Sequence, residues 1–507
     1  MSKAKTLMIQ GTGSGVGKSA IVAALCRIYA DLGIKVAPFK AQNMSLNSGV
    51  TVMGHEIGRA QYFQAQAAGI EPDVDMNPLL LKPAGEQMSH VILQGKPWGL
   101  LKAGDFESRK RLFQKFILES FERLSRRYDM VIIEGAGSPA EINLKKGDVV
   151  NMVMAKRAKA PVLLIGDIDR GGVFAWLKGT IDLLPNDEKS LIKGCIINRF
   201  RGDMRLLSPG IVEFERLSGK KVVGIVPFVE HNGIDEEDGQ IFTDRIQMSA
   251  GQRSGWKKIR ISVIKLPHIS NFTDFKVFGG VKNVELEFVN LDGILNNPNI
   301  VILPGSRNTI DDLRLLREAG MDKKISEAFQ NGAVLIGICG GYQMLGEEIF
   351  DPNLIEGSES SIKGLGYLKI RSEFYPEKTL RRVNGKSLLY DCPFVGYEIH
   401  HGRSEGNEKR FAILNDMGGD ESYLDGHHSF NGRVWGTYVH GIFDDPEFLG
   451  TFLYAIIRSD SLRKSDFTKF QFEPKAQWQY FIDFADIVKE SLDLNYINEI
   501  VKIHIKS

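Results

Sequence analysis

Two groups of residues in this chain have the types and spacing to do chemistry. The first is the run GTGSGVGKS at 11–19, which ends an apolar strand-like segment and opens the apolar helical segment AIVAALCRIYADLG. Glycine-rich turns let backbone N–H groups approach a phosphate closely, and the following helix presents its positive end to the anion. Thr12, Gly13, Gly15, Val16 and Gly17 would cradle phosphate, Lys18 would reach the β/γ-phosphates, and the Ser19 hydroxyl would hold Mg²⁺. The usual pattern has Gly six residues before the Lys; here Thr12 stands there, between Gly11 and Gly13. A nucleotide site also needs a carboxylate. Glu134 in MVIIEGAGSPAEINL (130–144) falls at the C-terminal end of an apolar strand, as do Asp167 and Asp169 in LIGDIDRGG (164–172). Glu134 is the preferred metal ligand.

The second group centres on Cys339 in VLIGICGGYQMLGEEIF (334–350), framed by Gly337 and Gly341 between a buried strand and a helix. Small neighbours permit the strained turn that exposes a nucleophile, and a helix N-terminus is expected to lower the thiol pKa. A base is supplied by His440 in GTYVHGIFDD (436–445), and oxyanion donors by the N–H groups of Gly340 and of the LPGSRNT loop (303–309) near Gly305. Of the other histidines, His400–His401 could line a pocket, while His427–His428 read as surface. Asp148, Asn151, Gln42 and Asn43 are pocket candidates on loop grounds alone.

The elements that must position these groups are short apolar runs separated by helical segments, at 5–10, 34–39, 130–135, 161–166, 194–198 and 222–227, then 259–266, 299–305 and 333–338. Uninterrupted apolar strands alternating with helices indicate parallel sheets covered on both faces. Segments 394–400 and 433–441 read as further strands, antiparallel ones. With 507 residues the chain exceeds a single core. The expected organisation is α/β: a phosphate-loop domain at 1–230, a polar linker at 231–258, a thiol domain at 259–455, and a helical tail at 456–507. In the tail, Phe481, Phe484, Val488 and Leu492 mark one face of a docking helix.

Composition excludes other classes. Lys and Arg total 64 against 63 Asp and Glu, which lends no support to nucleic-acid binding. No run approaches the ~18 apolar residues of a membrane helix, and the first residues lack signal-peptide architecture. The four cysteines are far apart, without a CxxC pair, as expected for reduced thiols in a cytoplasmic protein.

Taken together, GICGGYQMLG with YVHGIF resembles the cobyric acid synthase branch of glutamine amidotransferases, and GTGSGVGKS with EGAGSPAEINL is similar to a dethiobiotin-synthetase-like ATPase domain. PFKAQNMSLNS (38–48), the stretch 56–83, INRFRGD (197–203) and HISNFTDF (268–275) extend the resemblance to cobyric acid synthases over essentially the whole chain. It implies a dethiobiotin-synthetase-like domain followed by a flavodoxin-like amidotransferase domain. It further implies that four side-chain carboxylates of a corrinoid, adenosylcobyrinic acid a,c-diamide, are amidated through acyl phosphates, with ATP and Mg²⁺ and with ammonia drawn from glutamine. An internal passage for that ammonia is a chemical expectation. The wider amidotransferase class has Glu two residues after the histidine; here Ile442 stands there. A Cys–His dyad is therefore expected, with Glu398 in GYEIHHG as a candidate orienter.

Two rivals stand beside this reading. A cobyrinic acid a,c-diamide synthase or other ATP-dependent amidoligase keeps the chemistry and changes the substrate, which QNMSLNS argues against. A nucleotide-switched binding protein would share the first domain but have no use for Cys339 and His440.

Overall fold

The computed structural model describes residues 3–83, 87–230, 232–234, 259–281, 284–459 and 477–504. Most of the polar stretch 231–258 therefore lies outside the described residues. The chain divides into two compact units: 1–51, 55–238 and 478–507 form the first, and 52–54 with 239–477 the second. Among the described residues no helix is long and apolar enough to cross a membrane.

In the first unit all six early apolar runs become strands of one parallel sheet. They are β1 (Lys5–Gly11), β2 (Val36–Phe39), β3 (Met130–Glu134), β4 (Val162–Asp167), β5 (Ile192–Phe200) and β6 (Lys221–Pro227), in spatial order β6-β5-β4-β1-β3-β2. Alternate side chains enter two cores. Leu7, Ile9 and Ile132 pack with helix α1 (Lys18–Asp31), while Met8, Val131 and Ile133 pack with Phe113, Ile117 and Phe121 of the helix Phe106–Arg127. Burial on both faces explains why these strands read as continuous apolar runs. The strand order reverses around β1, which places the ends of β1, β3 and β4 where open α/β sheets take ligands.

A smaller four-stranded sheet, built from Gln42–Met44, Leu79–Pro83, Met88–Leu93 and Lys96–Lys102, is inserted after β2 together with helix α2 (Arg59–Ala67). The C-terminal stretch divides. Helix Pro446–Ser459 belongs to the second unit, whereas Gln477–Ser491 and Leu494–Val501 close over α1 in the first. Phe481, Phe484 and Val488 are buried there, and Phe481 meets Phe63 edge-on at 4.9 Å. Each such side chain contributes roughly 1.5–3 kcal/mol of burial. The apolar face seen in the sequence is thus an intramolecular docking face.

The second unit is a mixed sheet. Strands β7 (Ile259–Lys265), β8 (Val284–Asn290), β9 (Ile300–Leu303), β10 (Val334–Ile338) and β11 (Val434–Thr437) run parallel in the order β8-β7-β9-β10-β11. The sheet then continues antiparallel through Ser422–Ser429, Lys409–Asp416 and Ile370–Ser387. The segment 394–400 lies in an antiparallel strand, Pro393–Gly406, as expected. The segment 433–441 meets the expectation in part: β11 is antiparallel to Ser422–Ser429 and Val439–His440 are antiparallel to Pro393–Gly406, but β11 is parallel to β10 on its other side. Its register sets Ile338 against Thr437, which delivers the chain after each strand to the same edge of the sheet.

Candidate active sites

The loop after β1 enters α1 through Gly17, whose φ of +96° is a left-handed conformation that a side chain would strain. A Cβ there would also lie 2.2 Å from the Asn198 amide nitrogen. Lys18 turns back over the loop, donating to the carbonyls of Gly13 at 2.7 Å and Gly137 at 3.2 Å. Its ammonium is thus carried at the rim of the cradle that the loop forms, beside the end of β3.

Glu134 is fully buried at that end and has four side-chain donors. The Ser19 hydroxyl reaches Oε1 at 2.8 Å and the Lys40 ammonium the same oxygen at 2.9 Å; Gln64 reaches Oε2 at 2.6 Å and Gln61 at 3.4 Å. Burial works to raise the Glu134 pKa, but the Lys40 charge and the bonds from Lys40, Gln64 and Ser19 outweigh it and hold the carboxyl below its usual range. The carboxylate is therefore ionised and saturated with donors. A cation bound directly by Glu134 would have to displace one of them. The Ser19 oxygen, in contrast, can offer a lone pair to a cation while its hydroxyl goes on donating to Glu134. Lys40, Gln61 and Gln64 were not singled out from the sequence; the only signal was their place in the two stretches that carry the family resemblance.

The other strand-end carboxylates have different partners. Asp167 pairs with Arg199 at 2.8 Å and Asp169 with Arg201 at 3.1 Å. Asp148 is occupied with its own turn, accepting from the N–H groups of Val150, Asn151 and Val153, and Asn151 ties the 136–138 loop. Asn43 is buried and donates to Gln61 at 3.1 Å. Asp148, Asn151 and Asn43 are thus taken up by bonds within the protein, and Gln42, next to Asn43 in the strand Gln42–Met44, is half-buried.

In the second unit Cys339 sits between β10 and the short helix α3 (Gly340–Met344) with φ +52° and ψ −110°. A non-glycine residue held there stores roughly 1–3 kcal/mol of strain, and the surroundings enforce it. A Cβ on Gly341 would fall 1.9 Å from the Leu303 carbonyl oxygen, so only glycine lets the elbow pack on β9. The Cys339 N–H donates to the Thr437 carbonyl at 2.8 Å, tying the elbow to the strand that leads to His440. The loop 305–306 adjoins both residues: a Cβ on Gly305 would be 3.1 Å from His440 Cε1, and one on Gly340 2.9 Å from the Ser306 nitrogen. Cys339 with Gly340, Gly305 and His440, from three separate stretches of the sequence, are thereby brought together.

Two findings depart from the sequence reading. Burial pushes the Cys339 thiol well above its ordinary pKa, reinforced by the Glu356 and Asp274 carboxylates; the Gly340 N–H opposes this without reversing it. A single helical turn cannot offset full desolvation, so the expected lowering is corrected to a raising. The orienter is also different. His440 Nδ1 lies 2.7 Å from Asp274 Oδ2, and the Gly441 N–H donates to Oδ1 at 3.2 Å, with both side chains buried. Glu398 instead bonds the Tyr423 hydroxyl and lies 3.4 Å from His400. His440 Nε2 is buried and has no hydrogen-bond partner. Asp274 lies in HISNFTDF, far in sequence from the histidine, where no spacing rule points to it.

The remaining histidines also sort out. His427 is fully buried against the Tyr342 hydroxyl rather than at the surface, and burial, with the charge of Arg410, pushes its pKa down to about 4. His400 is buried and stacks on Tyr438 at 3.9 Å.

Known proteins match this chain in sequence. Residues 7–241 match the CobQ/CobB/MinD/ParA nucleotide binding domain and residues 260–448 the CobB/CobQ-like glutamine amidotransferase domain. The chain is 44% identical to a cobyric acid synthase of Thermoanaerobacter sp. (strain X514) and 43% identical to that of Photorhabdus laumondii, in each case over 98% of both chains. It is 41% identical to the cobyric acid synthase of Clostridium novyi, again over 98% of both.

Proposed function

From a chain that belongs to the cobyric acid synthase family, we propose a glutamine- and ATP-dependent amidoligase that converts four side-chain carboxylates of adenosylcobyrinic acid a,c-diamide into carboxamides. A carboxylate resists amines because its carbon carries delocalised negative charge and oxide is a poor leaving group. Phosphorylation by ATP removes both obstacles by giving an acyl phosphate. In this reading Lys18 and the loop N–H groups of 13–17 hold the triphosphate and stabilise charge moving between its oxygens. Mg²⁺, when bound, would neutralise developing charge on the phosphates. Ser19 would hold it, with Glu134 fixing the direction of the Ser19 proton.

The nitrogen comes from the second unit. With its pKa raised, Cys339 is held as a thiol, so His440 Nε2 takes the proton as sulfur attacks the glutamine amide and returns it to the departing ammonia. Water then hydrolyses the γ-glutamyl thioester to glutamate and the free thiol. Asp274 fixes the tautomer that leaves Nε2 able to accept and offsets the imidazolium charge. The N–H groups of Gly340 and Gly305 serve the oxyanion. The observation that carries this half is the buried, unpartnered Nε2 of a histidine whose other nitrogen is held by a carboxylate. The reduced, buried cysteines suit a cytoplasmic enzyme.

The test is to incubate the full chain with adenosylcobyrinic acid a,c-diamide, ATP, Mg²⁺ and glutamine. Mass spectrometry should show four successive conversions to carboxamide, one glutamate formed per step. No conversion of that substrate, with amidation at a and c when cobyrinic acid is supplied in its place, would instead indicate a diamide synthase.

A further inference from the structure

The phosphate loop is held from behind by side chains outside it. Arg199, at the end of β5, donates from Nη1 to the Gly15 carbonyl at 2.8 Å and to Asp167 Oδ2 at 2.8 Å, and the ion pair is almost fully buried. Its neighbour Asn198 donates to the Val16 carbonyl at 2.9 Å. In a trans peptide the C=O of one residue and the N–H of the next point in opposite directions. Capturing the carbonyls of Gly15 and Val16 therefore turns the N–H groups of Val16 and Gly17 to the other side, as an anion-binding nest requires. The backbone of Arg199 is itself left-handed, at φ +61°, a conformation that disfavours a side chain by roughly 1–2 kcal/mol. That cost is sustained where the guanidinium bridges loop and strand.

We propose that Arg199, anchored by Asp167 and assisted by Asn198, is a positioning residue that holds the loop in its phosphate-accepting form without touching phosphate itself. The proposal rests on the reading of residues 11–19 as a nucleotide site. Arg199→Gly separates side chain from backbone, because glycine adopts φ +61° without strain. The full chain would be assayed for direct binding of ATP with Mg²⁺, for the ATP dependence of amidation, for competition by inorganic tripolyphosphate, and for melting temperature.

Losing a buried charge-assisted bond should weaken ATP binding and raise its KM about ten- to hundredfold. kcat at saturating ATP should stay within about threefold, since the clamp acts on the loop and not on the reacting atoms. Tripolyphosphate should weaken by the same factor as ATP, because the clamp acts on phosphate recognition and not on the base. Arg199→Lys, which keeps the charge but not the planar fork, should fall between. Unchanged ATP affinity in a folded Arg199→Gly protein overturns the proposal, and so does weakened ATP with unaltered tripolyphosphate competition. Absence of amidation by the unaltered chain would count against the proposed function, while the binding measurements would still decide the role of Arg199.

Discussion

Asp274→Asn changes one atom at the point where the sequence and the structure part company. The carboxylate accepts from Gly441 N–H through Oδ1 and holds His440 Nδ1 through Oδ2 at 2.7 Å. An asparagine that keeps its carbonyl oxygen on Gly441 must present its NH₂ to Nδ1. Nδ1 then becomes an acceptor, the proton moves to Nε2, and Nε2 can no longer take the thiol proton. A hydrogen bond to a charged partner is worth about 1.5–3 kcal/mol, and 1.4 kcal/mol is a factor of ten. Glutamine-dependent amidation should therefore fall by about two orders of magnitude, more if the imidazolium loses further stabilisation. The assay measures amidation with glutamine and, separately, with a high concentration of ammonium salt, which bypasses the thiol site. The ammonia rate should stay within about twofold of the parent. Glu398→Gln, with its carboxylate on Tyr423, should leave the glutamine rate within about threefold. A glutamine rate undiminished in Asp274→Asn, or lost in Glu398→Gln instead, would refute the assignment.

Three further outcomes are expected. Lys40→Met leaves Glu134 charged and buried without its cation and should cost about 3–5 kcal/mol of stability, read as a lower melting temperature of the first unit; an unchanged melt would contradict the ion pair's role. Gly341→Ala drives a Cβ into the Leu303 carbonyl, so glutaminase activity should vanish while ammonia-dependent activity survives, and a wild-type glutamine rate would show that the elbow tolerates the shift. His427, neutral when folded with a pKa near 4, binds fewer protons than the unfolded chain between about pH 6.5 and 4, so its contribution is complete above that window and is lost as pH falls through it. The melting temperature of the wild type relative to His427→Asn should accordingly decline on acidification below about pH 6.5, and parallel profiles would show that His427 does not titrate in the buried state.

How much of this was legible in the sequence follows from which forces are local. The parallel strands could be read because burial on both faces writes itself as unbroken apolar runs, and the loop and elbow because backbone geometry demands glycine at fixed offsets. The inserted sheet of 42–102 went unread, since its strands carry buried polar residues such as Asn43 and Lys82. Polar partners set by tertiary folding leave no spacing signal, so Asp274 is brought to His440, and Lys40, Gln61 and Gln64 to Glu134, only by the fold. The raised Cys339 pKa was missed for the opposite reason: helix capping is visible in the sequence, whereas depth of burial is not. The parallel pairing of β11 could not be told from antiparallel by pattern, because either leaves the same apolar residues inside.

A comparison of nitrogen donors tests most directly whether two separate chemistries are joined in one chain. Corrinoid amidation would be measured for Cys339→Ala and Lys18→Ala with glutamine and with ammonium salt. Cys339→Ala should lose the glutamine reaction and keep the ammonia reaction, whereas Lys18→Ala should lose both. Equal loss with both donors in Cys339→Ala, in a protein that melts like the parent, would contradict the division of labour.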